Sequence, residues 1–307
     1  MTVLVTGGMG CIGAWTLFHL VEQKEQAVCF DLSDDRHRLD LLISREKQEA
    51  ITFVQGDLTN FEQVKVIFER HNITHVVHLA ALQIPMCKAN PVLGAQVNVV
   101  GTTNIFEAAR QAGVAHIALA SSIAVYGPPE DYASQILADD APMLPRTLYG
   151  VYKVANEGTA KIFWQDHGIS SIVLRPYTVY GLGRDQGLTS EPTRAMQAAA
   201  RGEGYHITFG GKMQFHFASD VAQQFIAAAK LPQDGAQGFN LGTAPIAVQD
   251  LAKIIMEIVP DVIITVNEQP LPFPEACDPS PLHKAFEQVY ETPIEVGIRQ
   301  TIDALRN

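Results

Sequence analysis

A chain of 307 residues, 47% of them hydrophobic, can form one large unit or two domains around a sizeable core. Its formal net charge of −11 excludes a general nucleic-acid binder, which carries a basic footprint, and does not suit an anionic membrane surface. No apolar run reaches membrane-spanning length.

Cys11, Cys29, Cys87 and Cys277 are far apart and form no C-x-x-C pair, so free thiols and a reducing compartment are expected. Met1 runs straight into an apolar strand, with no basic and apolar leader, and a cytoplasmic protein is expected.

Short apolar runs alternate with longer amphipathic segments. Strands are predicted at 2–6, 27–30, 51–55, 75–79, 116–121 and 171–175, and helices at 12–23, 61–70, 92–112 and 149–167. This alternation predicts an α/β fold of Rossmann type, a doubly wound parallel sheet with helices on both faces. Beyond Pro176 the pattern weakens. We expect an NAD-binding domain over 1–175 with a return segment near 212–243. A smaller substrate-binding lobe is expected from 176–211 and 244–307.

Gly7, Gly10 and Gly13 follow the first strand and open the first helix, with Cys11 and Ile12 between the last two. Small residues there let the backbone turn tightly and approach a pyrophosphate, and the helix N-terminus supplies N–H donors and a positive dipole. Asp31 ends the second strand, near the offset of about 20 residues expected for the acid that binds ribose hydroxyls. Its carboxylate repels a 2′-phosphate and favours NAD over NADP. Arg36 and Arg38 in the following loop work against that preference.

Tyr149 and Lys153 stand at i and i+4, on one face of a predicted helix. An ammonium beside a phenol favours the phenolate, so the Tyr149 pKa is expected to fall and make it a general base for an alcohol proton.

In order along the chain, these pieces resemble the extended short-chain dehydrogenase/reductase family, in its NAD-dependent epimerase/dehydratase branch. The matching stretches are 6–13, Asp31, 56–58, 78–81, 98–102, 121–127, 149–157 and 175–181, with weaker similarity over 238–242. The resemblance implies that Asp57 and Leu58 contact adenine and that Leu79, Ala80 and Ala81 lie along the cofactor. It also places Asn98 and Pro176 with the cofactor set. Ser122 matches the family's catalytic hydroxyl, Tyr149 its acid/base and Lys153 its lysine. The helices at 92–112 and 149–167 match those that pair into a four-helix bundle, which implies a homodimer.

Three departures bear on the reaction. Ile123 and Ala124 stand where dehydrating relatives carry an Asp-Glu pair, so a dehydratase is disfavoured. Thr178 replaces the usual Asn, and Met213 stands where nucleotide-sugar relatives place an arginine. Arg184 is the candidate to hold an anionic group in its stead. Ser121, Ser122, Tyr149, Thr178, Arg184 and Gln214 form the expected substrate set.

His71, His75 and His78 do not read as a metal site, because 75 and 78 point to opposite faces of a strand. Ser122 lies outside any G-x-S-x-G elbow, which disfavours a hydrolase. The expected function is an NAD-dependent epimerase-type oxidoreductase acting on a secondary alcohol of a nucleotide-linked sugar. The alternatives are a net dehydrogenase of a free sugar, sugar acid or polyol, and an NAD-binding sensor without catalysis.

Overall fold

The computed structural model describes residues 1–231 and 233–306. Its centre is a seven-stranded parallel sheet. The strand order is Ala236–Asn240, Ser170–Arg175, His116–Ala120, His75–His78, Thr2–Thr6, Gln26–Asp31 and Ile51–Gln55. The order reverses beside the first strand, and in such sheets ligands bind outside the carboxyl ends at that reversal.

Register makes that edge level. Thr6 pairs with both Phe30 and His78, His78 with Leu119, and Ala120 with Leu174. The residues that follow these strands therefore emerge side by side. Val3, Leu4 and Val5 are fully buried, as a central strand covered on both faces requires. His78 lies between two threonines, with Nδ1 2.6 Å from Thr6 Oγ1 and Nε2 2.9 Å from Thr102 Oγ1. Among the described residues no group of three or more metal-ligating side chains lies together.

The helix expected over 92–112 contains a wider turn. It runs as Pro91–Ala95, a π turn Gln96–Val100, and Gly101–Ala112. A π turn adds a residue and swings side chains out of α register. Here it buries Asn98, whose Oδ1 accepts from the Leu82 N–H at 2.7 Å and whose Nδ2 donates to the Leu82 carbonyl at 2.9 Å.

Leu148–His167 begins at Thr147, whose Oγ1 accepts from the Gly150 N–H at 3.0 Å, and ends at Gly168 with φ 70°. A second apolar cluster packs Tyr177, Met213 and Phe215 against the helices Glu191–Ala200, Val248–Ile258 and Ile294–Arg306. From Ala218 the chain returns to the sheet. Helix Ala218–Lys230 packs on Cys11–Glu22, with Ser219 Oγ 2.8 Å from His19 Nε2, and Ala236–Asn240 adds the last strand.

Candidate active site

A cavity of about 630 Å³ follows the level edge of the sheet into the space beside the second cluster. Gly7, Gly10, Cys11, Ile12 and Gly13 line it after the first strand, and Asp31 after the second. Asp57 and Leu58 line its far end, and Leu79, Ala80 and Ala81 its floor. Ser121, Ser122, Tyr149, Lys153, Pro176 and Arg184 line the other end.

The first helix starts at Gly10 with no side-chain cap, so its leading N–H groups stay open to an anion. A side chain on Gly13 would collide with the Gly7 carbonyl and stand 2.7 Å from Gly8 Cα. Only glycine lets the helix come this close to the strand, and the resulting cradle fits a dinucleotide pyrophosphate. Asp31 Oδ2 accepts from the Met9 N–H at 2.9 Å and Oδ1 from the Ser33 N–H at 3.0 Å.

The two arginines that could favour NADP already have partners, although Arg38 lines the cavity beside Asp31. The Arg36 guanidinium lies 3.6 Å over the Phe53 ring, and Arg38 is bonded to Asp185 and to the Met9 carbonyl.

At the other end, Ser122 caps the turn Ile123–Val125, its Oγ accepting from the Ala124 N–H at 3.1 Å. A side chain on Gly150 would strike the Ala124 carbonyl. That close contact seats the Tyr149 helix against the Ser122 turn. Lys153, one helical turn further on, is buried and donates from Nζ to the Ala120 carbonyl at 2.6 Å.

The expected effect on Tyr149 is reversed in the folded chain. Burial pushes the phenol up to about 12, against a lowering by its hydrogen bond to Ser122 and by the Arg184 charge. Lys153 Nζ lies 5.6 Å from the Tyr149 ring centroid and is engaged by the Ala120 carbonyl. Burial lowers Lys153 itself to about 8. The i, i+4 spacing brought the pair to one wall, but desolvation outweighs the lowering by Ser122 and Arg184.

Three expected site residues do not line the cavity. Asn98 acts on the 82 loop from behind, through the π turn. Thr178 is fully buried and donates to Met213 Sδ at 3.2 Å, which places both departures of sequence in the core. The Gln214 amide is consumed by backbone: Nε2 donates to Thr243 and Cys277 carbonyls at 2.8 and 2.9 Å, and Oε1 accepts from the Cys277 N–H at 2.9 Å. Gln214 therefore joins segments of the second cluster and offers nothing to a ligand.

Conversely, Gln83, Ile84, Met86, Tyr177, Leu188 and Phe273 line the reactive end and were not expected. Tyr177 lies within the matching stretch 175–181. Phe273 lies in an irregular Pro-rich stretch with no periodicity to mark it. Arg184 reaches the cavity with Nη2 3.2 Å from Thr189 Oγ1, while its buried Nε has no partner among the described residues.

By sequence and by fold the chain is similar to known epimerases. A UDP-glucose 4-epimerase of Mycolicibacterium smegmatis is 31% identical over 79% of this chain and 77% of its own. A UDP-glucuronate 4-epimerase of Thermodesulfobacterium geofontis is 28% identical over 98% and 94%. The solved UDP-glucose 4-epimerase of Thermus thermophilus, in complex with NAD, superposes with a TM-score of 0.83 at 25% identity, covering 100% of this chain and 99% of that one. The family model described as "NAD dependent epimerase/dehydratase family" matches residues 3–242, most of the length, and this chain belongs to that family.

Proposed function

We propose that the protein is an NAD-dependent epimerase-type oxidoreductase that works on a secondary alcohol of a nucleotide-linked sugar. One observation carries the reading. The cradle at 7–13 and the Ser122, Tyr149 and Lys153 side chains line one continuous cavity. The relatives named above act, by their names, on UDP-sugars.

The roles follow from position. The cradle and Asp31 would hold the dinucleotide, with Asp57, Leu58 and the 79–81 floor along it. Bound NAD supplies the hydride acceptor. Tyr149, as phenolate, takes the proton from the substrate hydroxyl as the alcohol is oxidised, and returns it on reduction; the positive charges of Lys153 and of bound NAD⁺ would favour that ionised form over the neutral phenol that burial alone favours. Ser122 bonds the same oxygen and fixes its direction. Lys153 places positive charge beside the phenol. Ile123 and Ala124 offer no acid or base for removing water, which speaks against dehydration.

Arg184 holds the substrate's anionic portion. Its place in the cavity lining and its lowering effect on Tyr149 both support a cation near the reaction centre. Residues 1–175 with the return segment would form the cofactor half, and 176–211 with 244–307 the substrate half. A cytoplasmic homodimer completes the reading. Val92, Val100, Val151 and Ile162 are 68%, 46%, 46% and 53% exposed on the two helices expected to pair.

A second reading, net oxidation of a free sugar acid or polyol, is favoured by Met213 being buried where relatives place a phosphate-binding arginine. Incubation with NAD⁺ and a panel of nucleotide sugars, sugar acids and polyols separates the two. Absorbance at 340 nm is recorded beside product NMR. A new epimer without net NADH supports the epimerase, whereas stoichiometric NADH overturns it.

A further inference from the structure

One ion pair joins two loops far apart in sequence. Arg38 lies in the short helix His37–Asp40, beyond the ribose acid, and Asp185 follows the strand Thr178–Tyr180. Arg38 donates to Asp185 Oδ1 from Nε at 3.0 Å and from Nη2 at 2.7 Å. His37 Nε2 lies 3.1 Å from Asp185 Oδ2, and its Nδ1 lies 2.8 Å from Asp35.

The same arginine donates from Nη1 to the Met9 carbonyl at 2.8 Å, inside the glycine-rich turn. Met9 in turn gives its N–H to Asp31. One residue before Gly183, the Leu182 carbonyl accepts from Trp15 Nε1 at 3.0 Å. Residues 182–185 are thereby fastened to the turn, the first helix and the ribose-acid loop at once. Met9, Asp31, Arg38, Gly183 and Asp185 all face the one cavity. The Arg38 side chain is 12% exposed and that of Asp185 32%, so the pair is partly withdrawn from water.

We propose that Asp185 is a cofactor-retaining residue: through Arg38 it clasps the 182–185 loop to the glycine-rich turn, and this clasp sets how slowly the dinucleotide leaves. A dinucleotide held between turn and loop departs only after the loop lifts. Lifting breaks the Arg38–Asp185 fork and the Trp15–Leu182 bond together. Retention also suits the epimerase reading, in which the nicotinamide stays bound between the two half-reactions.

The test uses the full-length protein loaded with NADH and chased with a large excess of NAD⁺, the fall in nicotinamide fluorescence giving the release rate. Asp185→Asn is expected to release NADH at least about 10-fold faster, equivalent to about 1.4 kcal/mol. Arg38→Gln should do the same, and the double variant should be no faster than the faster single one, because both remove the same interaction. If Asp185→Asn does not fold, Arg38→Lys, which loses the fork but keeps a charge, is read on the same scale. Release from Asp185→Asn at the wild-type rate or slower, or additive effects in the double variant, overturns the proposal. The readout contains no sugar, so failure here leaves the epimerase reading standing, and failure of that reading leaves the clasp testable.

Discussion

Glu157 and Arg175 form a forked ion pair inside the protein. Arg175 Nε reaches Oε1 at 2.8 Å and Nη2 reaches Oε2 at 2.7 Å, with both side chains 4% exposed. Ser121 Oγ donates to the same Oε1 at 2.6 Å, and Arg175 Nη1 donates to the Tyr126 hydroxyl and the Asp139 carbonyl at 2.7 and 2.8 Å. Ser121 stands between Ala120, which accepts from Lys153, and Ser122. The pair therefore fixes the strand end that carries the reactive wall. Glu157→Gln leaves a buried guanidinium without its counter-charge and is expected to destabilise the protein by about 3–5 kcal/mol in urea unfolding. Glu157→Gln combined with Arg175→Met should recover part of that loss.

Tyr149→Phe keeps the ring and removes the hydroxyl proposed to carry the proton. Turnover should fall by about 10²–10⁴-fold with NAD binding unchanged. Turnover near that of the wild type on the true substrate would remove Tyr149 from the mechanism. With nucleotide stripped, the wild-type minus Tyr149→Phe difference in phenolate absorbance should rise with a midpoint near 12, the value burial imposes.

Arg184→Met tests the anion-binding role. A charge-assisted bond to an ionised group contributes about 1.5–3 kcal/mol, so the substrate KM should rise by about 10-fold or more. The KM for NAD should change far less. Equal effects on both would place Arg184 with the cofactor instead.

Histidines withdrawn from water contribute to the acid limit. Burial lowers His78 to about 3, and His19 and His216 to about 4. Below pH 6.5 the unfolded chain takes up protons that the folded chain refuses, so stability is full above 6.5 and falls as pH drops toward 4. Each group contributes a slope of up to about 1.4 kcal/mol per pH unit. Urea midpoints between pH 7.5 and 5 should show the decline, and His78→Gln should make it shallower.

Val151→Glu together with Ile162→Glu places charge on the exposed apolar face of Leu148–His167. Sedimentation velocity should show a dimer for the wild type and a monomer for the variant. A wild-type monomer would refute the paired-helix expectation.

The parallel sheet and the placement of Tyr149 and Lys153 on one wall of the cavity were legible in the sequence because they follow from short-range rules. Strand and helix periodicity, the Gly7–Gly13 spacing and the i, i+4 offset of Tyr149 and Lys153 each involve neighbours along the chain. Solvent exposure and long-range partners were not legible. Desolvation reversed the expected shift of Tyr149, and packing drew Thr178 onto Met213 and Gln214 onto the Cys277 backbone, away from the cavity. Asn98 reached Leu82 only because a π turn displaced it. The sequence by itself determined a glycine-rich turn after the first strand and a Tyr-Lys pair on one helix face. Which side chains line the cavity, and the fastening of Arg38 to Asp185 across 147 residues, were decided by the tertiary structure, because burial and pairing depend on segments the local pattern does not connect.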